Sequence, residues 1–462
     1  MPARAGSAAI IDGVFSLTSR RFLTQIRKSD DVPSLQIIPR PDHPVSRANI
    51  SQPALKVLYR LKDAGYQAFL VGGGVRDLLL GKQPKDFDVA TDATPEEVRA
   101  LFRNSRLIGR RFRLAHVRFG REIIEVATFR GTGNGDEPNG DHVVCESGRI
   151  LKDNAWGSIE EDAIRRDFTV NALYYNIADY SIWDFAGGFD DIEHGWLRLI
   201  GDPETRYRED PVRMLRAARL AGKLGLEIHP EAAEPIPGLA GLLDGVPPAR
   251  LFDEFLKLFQ SGNALASYHK LVQFGLFEHL FPITARVLAQ DKQEDFRQLI
   301  EAALANTDRR VAEDLPVTPM FLFAVLLWRP VQQLAAELAE REDLSPGRAF
   351  REAADQVNYE QVQRIALPKR FSLPMREVLQ LQSRFEDRRP RRVRSLLQHK
   401  RFRAAYDLML LRVEIGEVPQ ETAEFWTAAQ EGSPEKNSSD PPRARRRRRR
   451  SRRRSGDRPP AA

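Results

Sequence analysis

Three consecutive glycines, Gly72 to Gly74, stand between a short apolar run, Gln67 to Val71, and a helical segment, Val75 to Leu80, which Gly81 stops. Glycine alone lets a backbone turn this tightly and still bring its amides close to a ligand. A strand, a glycine turn and a helix N-terminus make a phosphate cradle, because the first amides of a helix are unpaired and partly positive. Just downstream, Lys85-Asp86-Phe87-Asp88-Val89-Ala90 alternates polar and apolar residues, the period of a half-buried strand. That spacing predicts Asp86 and Asp88 on one face, roughly 6 to 7 Å apart. Two such carboxylates suit a hard divalent cation such as Mg²⁺, which prefers oxygen ligands and keeps several waters. A lone D-x-D is commonplace on surface strands. Beside a phosphate cradle it describes a triphosphate held against a metal.

Three further constellations carry candidate chemistry. In Glu122 to Phe129, Ile123, Glu125 and Ala127 share one strand face, leaving a carboxylate among apolar neighbours. It is either a solvent-facing residue or a third acid beside Asp86 and Asp88, as two-metal phosphoryl transfer requires. In Glu160 to Asn171, Arg165 and Arg166 suit phosphate, while Asp167 and Asn171 are spaced for one helical face and for ribose hydroxyls. An ordinary surface charge cluster would look the same. In Arg206 to Arg219, the arginines Arg213, Arg216 and Arg219 repeat at helical spacing behind Asp210-Pro211. They are a salt-bridged helix face, or Asp210 and Arg213 read a base edge. Asp accepts from an exocyclic amine and Arg donates to the adjacent ring acceptor, a fork that takes adenine or cytosine and rejects guanine and uracil.

Charge separates the chain into parts. The 462 residues carry a formal +7, but eleven arginines and one acid fall between Pro441 and Ala462, so that segment holds +10 and the remainder −3. A second basic stretch, Arg384 to Arg403, contains Arg388, Arg389, Arg391, Arg392, Arg394 and Arg401 and nets +7. Both are candidate RNA-phosphate surfaces. Cys145 is the sole cysteine, which excludes an intramolecular disulfide and a Cys-cluster zinc site. The longest apolar run, Met320 to Trp328, falls well short of the roughly 20 residues that span a bilayer. A soluble, reducing, cytoplasmic setting is expected.

The order of signals predicts an arm over residues 1–45, an α/β head over 46–200, a helical neck over 201–270, a helical body and tail over 271–415, and a disordered arginine-rich segment over 430–462. Within the head, Thr94-Pro95-Glu96-Glu97 reads as a capped helix start and His116 to Arg130 as a hairpin. Gly131 to Gly157 reads as a long loop or an insertion.

Leu70 to Asp77, Asp86-Phe87-Asp88, Arg165-Arg166-Asp167-Phe168-Thr169 and Glu209-Asp210 with Arg213 resemble, in order and spacing, the motif series of the class II nucleotidyltransferases. That family holds the tRNA CCA-adding enzymes and the bacterial poly(A) polymerases. The resemblance implies a polymerase-β-like head, helical neck, body and tail domains, and template-independent addition of nucleotides to an RNA 3′ end with two Mg²⁺ ions. It implies Asp86 and Asp88 as metal ligands and Gly73, Gly74 and Arg76 at the triphosphate. It further implies Arg166 and Asp167 near the ribose, and Asp210, Arg213, Arg216 and Arg219 at the base and phosphates. The third catalytic acid is Asp167 or Glu125. Pro248 to Glu254, Ile365 to Arg370 and Phe402 to Leu408 are similar to the poly(A) polymerase branch, as is the arginine-rich C-terminal segment. ATP is then the expected substrate and RNA the expected partner, with RNA-decay or RNA-chaperone proteins as candidates for the basic segment.

Overall fold

The computed structural model describes residues 35–109, 113–131, 142–144, 150–153 and 156–431. The segment 1–34, Cys145 and the arginine-rich segment beyond 431 lie outside the described residues, and so do the expectations placed on them. The chain divides into two compact units, one ending at Leu379 and one beginning at Gln380.

The first unit opens with the strand β1 (Gln36–Ile38) and the helix α1 (Gln52–Asp63). Ser51 caps α1 by accepting from the Ala54 amide, and Leu55, Leu58 and Leu61 bury one face. Then follow β2 (Ala68–Val71), α2 (Gly73–Leu79), β3 (Asp88–Thr91), α3 (Pro95–Leu101), β4 (Ser105–Ile108), β5 (Leu114–Phe119) and β6 (Glu122–Thr128). The capping box predicted at Thr94 is present, Thr94 and Glu97 each closing on the other's backbone. The predicted hairpin is β5–β6, turning through Gly120. A small pair, β7 (His142–Val144) and β8 (Ile150–Asp153), lies within the segment read as a loop. The helix α4 (Ile159–Ile164), the strands β9 (Leu173–Asn176) and β10 (Ile182–Asp184), and α5 (Gly188–His194) complete the head.

Eight strands form one mixed sheet in the order β1-β10-β9-β2-β3-β6-β5-β4, in which only β3 and β6 run parallel. One face packs on Leu55, Leu58, Val89, Ala115, Val117, Ile124 and Val126. The other is closed at its β2–β9 end by Phe69, Val71, Phe129, Tyr174 and Phe185. Its β6–β5–β4 end carries exposed side chains.

Helices follow: α6 (Pro203–Glu209), α7 (Val212–Leu224), α8 (Pro230–Ala233), α9 (Ile236–Leu239), α10 (Pro248–Phe259) and α11 (Ala264–Gln273). α7 buries Met214, Leu215, Ala217, Ala218 and Ala221. Gly222 permits a close helix crossing, because a Cβ there would lie 2.8 Å from the Ser267 amide nitrogen of α11. The rest of this unit holds the shorter helices Phe277–Leu280, Pro282–Leu288 and Pro319–Leu326 and the longer ones Asp295–Ala312, Trp328–Glu342 and Pro346–Arg364. The helix Lys369–Leu381 ends two residues beyond the unit's last residue, Leu379. Pro346–Arg364 carries no strong apolar stripe, with only five buried residues in nineteen, so its periodicity is faint in the sequence.

The second unit holds the helices Pro390–Leu397, Phe402–Glu414 and Gln420–Glu431 around Phe385, Phe402 and Trp426. The indole of Trp426 donates to the Phe385 carbonyl at 2.9 Å.

Candidate active site

At the end of β2 the chain turns through Gly72, at φ +69° and ψ −134°, directly into α2. Only glycine enters that region without strain, and a Cβ there would also lie 3.2 Å from Arg166 Nη1. Val71 pairs with Asp88 on β3, and Asp88 pairs with Glu125 on β6. The glycine turn and the two carboxylates therefore stand at one level on three adjacent strands. Asp88 and Glu125, as registered partners, point to the same face. Asp86 lies just before β3 rather than within it, because β2 ends at the partner of Asp88 and leaves no strand to pair further back. It remains two residues from Asp88, and its backbone carbonyl backs the glycine turn: a Cβ on Gly74 would lie 3.6 Å from it.

Asp88 sits in a field short of positive charge. Burial, the neighbouring Glu125 and Asp86 push its pKa up to about 6, against the pull of Arg166 and His116. Glu125 is exposed, and its Oε1 lies 3.1 Å from His116 Nε2 on β5.

Asp167 takes a different place. Its carboxylate accepts from both Arg216 Nε, at 2.8 Å, and Arg216 Nη2, from Asn171 Nδ2 at 3.1 Å and from the Phe168 amide at 2.9 Å. Burial disfavours the charge, but Arg216 and these donors outweigh it and hold the pKa below the usual carboxylate range. Asp167 and Asn171 do not share an α-helix. α4 ends at Ile164, and Thr169–Asn171 forms one 3₁₀ turn that brings the amide group back onto the carboxylate.

Asn171 also joins this pair to the glycine turn. Its Oδ1 accepts from Arg76 Nη1 at 2.5 Å, and Arg76 Nε and Nη2 donate to Asp77 Oδ1 at 2.8 and 2.6 Å. The Arg76 guanidinium is thereby fixed beneath the turn, where a Cβ on Gly73 would be 3.3 Å from its Nη2. Arg166 is held by Asp162 Oδ2, 2.9 Å from Nη2, and by Tyr174 Oη, 2.9 Å from Nε. Tyr174 itself donates to Asp162 at 2.7 Å. Asp162 stands four residues before Arg166, the spacing of a helical ion pair, whereas Tyr174 stands out in no motif.

The arginines of α7 diverge. Arg213 donates to Glu209 at 2.9 Å and to the Arg206 carbonyl at 2.6 Å, Arg216 reaches the head at Asp167, and Arg219 lies 3.7 Å from Glu254 on α10. Asp210 binds Arg250 Nη2 at 2.6 Å and accepts from the Val212 amide at 3.3 Å. In the second unit, Arg388, Arg389, Arg391, Arg392 and Arg394 are exposed and Arg401 is half-buried. Arg389 and Arg392 share Asp387, whose pKa falls to about 2 under the hydrogen bond from Arg389, and Arg388 lies over the Phe425 ring.

The sequence matches three families, described as "Poly A polymerase head domain" over residues 68–198, "Probable RNA and SrmB- binding site of polymerase A" over 225–288, and "Polymerase A arginine-rich C-terminus" over 342–458. It is 52% identical to poly(A) polymerase I of Salmonella typhi over 407 residues, 87% of each chain. The chain belongs to the poly(A) polymerase I family of RNA nucleotidyltransferases. Poly(A) polymerase I of Escherichia coli O157:H7 is 53% identical over 386 residues, 83% of each chain. The crystal structure of the Bacillus stearothermophilus CCA-adding enzyme in complex with CTP matches at 25% identity and a TM-score of 0.50, over 82% of this chain and 81% of that one. The nucleotidyltransferase head with a helical body is thus the family's fold, and the ATP and RNA 3′-end chemistry anticipated from the motifs is that of a family member.

Proposed function

We propose that this protein is a polynucleotide adenylyltransferase that transfers AMP from ATP to an RNA 3′ hydroxyl and releases pyrophosphate. The observation that carries the reading is the pairing of Val71, Asp88 and Glu125 across three strands, next to the Gly72 turn, in a chain of this family. Among the described residues no three His, Cys, Asp or Glu side chains close into a ready-made metal cage. A site built from Asp86 and Asp88 alone fits Mg²⁺, which takes one or two carboxylates and completes its shell with substrate phosphates and water. Burial first, then the nearby acids Glu125 and Asp86, raises the Asp88 pKa, so a cation there would relieve unfavourable charge. When bound, Mg²⁺ would neutralise triphosphate charge and lower the pKa of the attacking hydroxyl.

The chain's own groups do the rest. The amides of Gly73 and Gly74 at the start of α2 face the triphosphate, with Arg76 and Arg166 beneath and beside them as fixed cations. Of the two candidates for the third acid, Glu125 is favoured, because it is the strand partner of Asp88 and raises its pKa. Asp167 is occupied by Arg216, and we assign it to holding α7 against the head. Asp210 and Arg213 present acceptor and donor to the base edge of ATP, with Arg250 orienting the Asp210 carboxylate. An enzyme consuming ATP and RNA has both at hand in the cytoplasm, and the basic C-terminal segment remains the candidate contact for RNA-decay proteins.

The test is extension of an oligoadenylate by purified protein with each single nucleotide. Long tails with ATP, lost in Asp88→Ala, are expected. Efficient addition of two C residues from CTP to a tRNA lacking its terminal CCA would overturn the assignment in favour of CCA addition.

A further inference from the structure

We infer that the open face of β6, β5 and β4 is the track on which the last nucleotides of the RNA primer lie. This rests on the adenylyltransferase reading and adds to it a binding surface for the second substrate.

The strand register supplies the geometry. Asp88 pairs with Glu125, Glu125 with His116, and His116 with Arg106, so these four side chains stand in one row on one face of the sheet. At about 4.8 Å between strands, the row runs roughly 14 Å from Asp88 to the edge strand. Arg118 and Ile123, another registered pair, lie on the same face beside it, as does Ile108 on β4. The opposite face of these strands is filled by Leu107, Ala115, Val117, Ile124 and Val126, so the pleat leaves no ambiguity about which side is open.

The surface chemistry suits a single RNA strand. Arg106, Arg118, Ile108 and Ile123 are exposed, and among the described residues neither arginine has a carboxylate partner. From Arg99 to Arg121 the chain has eight arginines and no Asp or Glu. Exposed cations are what a strand of phosphates needs, and Ile108 and Ile123 add apolar surface for sugars and base edges. The glycine turn approaches Asp88 from the β2 side, so the nucleotide enters there. The face on the far side of Asp88 is left for the primer, and its charge changes from acidic at the carboxylates to basic at the edge. Arginine on an edge strand also discourages edge-to-edge aggregation. That role accounts for Arg106 but not for Arg118, which stands on the interior strand β5.

The experiment compares wild type, Arg106→Ala/Arg118→Ala and the charge reversal Arg106→Glu, all surface changes that leave the core untouched. Affinity for a fluorescent hexa-adenylate is measured without ATP or metal across a salt series, and primer KM and ATP KM are measured in the extension assay. Two lost phosphate contacts lower the salt slope of log affinity by about 1.4. Primer KM is expected to rise about ten-fold, further in Arg106→Glu, with ATP KM within two-fold of wild type. A dinucleotide primer, too short to reach the edge strand, should show little difference between Arg106→Glu and wild type. Unchanged hexanucleotide affinity and salt slope in both variants would overturn the track. The same result would follow if the face served a protein partner instead. Failure of the wild type to extend any primer would count against the adenylyltransferase reading, while the metal-free binding arm would still decide the track.

Discussion

Replacing Asp88 by Asn should make the metal-free protein more stable while abolishing its activity. Burial and the acids Glu125 and Asp86 raise the Asp88 pKa from 3.8 to about 6. That shift of roughly two units corresponds, at 1.36 kcal/mol each, to about 3 kcal/mol of unfavourable free energy for the ionised form in the folded state. Because the folded pKa is the higher one, the folded state binds the extra proton between about pH 4 and pH 6. The penalty is therefore complete above pH 6 and disappears as pH falls below 4. Asn removes the charge at every pH. In EDTA at pH 8 the variant should gain about 2 to 3 kcal/mol, or about 5 to 10 °C in melting temperature for a domain the size of the head. At pH 4.5 the gain should be much smaller. With Mg²⁺ and a non-hydrolysable ATP analogue the order should reverse, because only the wild type binds them tightly. Thermal melts at the two pH values, with and without ligand, make the test. An Asn variant that is no more stable than wild type at pH 8, or equally shifted at both pH values, would refute the electrostatic argument.

Removing Arg216, whose side chain is 37% exposed, leaves the half-buried Asp167 carboxylate with only neutral donors, so Arg216→Ala should cost about 1 to 3 kcal/mol in urea unfolding. The double variant with Asp167→Asn should recover part of that loss, and strictly additive effects would show the pair to be uncoupled. Arg250→Ala frees the Asp210 carboxylate, and we expect ATP KM to rise about ten-fold with kcat little changed, read from initial rates on a fixed primer. Deleting residues 441–462, which carry +10, should leave activity on short oligonucleotides intact. The same deletion should weaken binding to long RNA and flatten its salt dependence, measured by titration at several ionic strengths.

Much of the site is legible locally. The Gly72 turn, the capped start of α3 at Thr94, the β5–β6 hairpin and the Ser51 cap of α1 each follow from steric and hydrogen-bonding rules acting over a few residues. The extent of β3 was less so. Alternation runs from Lys85, but a strand exists only where a partner does, and β2 ends opposite Asp88. Asp162 stands four residues before Arg166, a legible helical spacing, whereas Tyr174, which completes the hold on Arg166, was silent because a buried hydroxyl has no periodicity of its own.

The choice between Asp167 and Glu125 shows where the division falls. The sequence by itself determined the chemistry on offer: a phosphate-binding turn, paired acids, a helix of arginines, and a chain whose net positive charge belongs to its last residues. Only the tertiary structure decided which acid stands beside Asp88. Strand pairing places Glu125 there, and α7 turns Arg216 onto Asp167. Both acids were candidates on chemistry alone, Glu125 within a strand and Asp167 after Arg165-Arg166. They differ in their neighbours, and those come from elements far along the chain that long-range packing alone brings together.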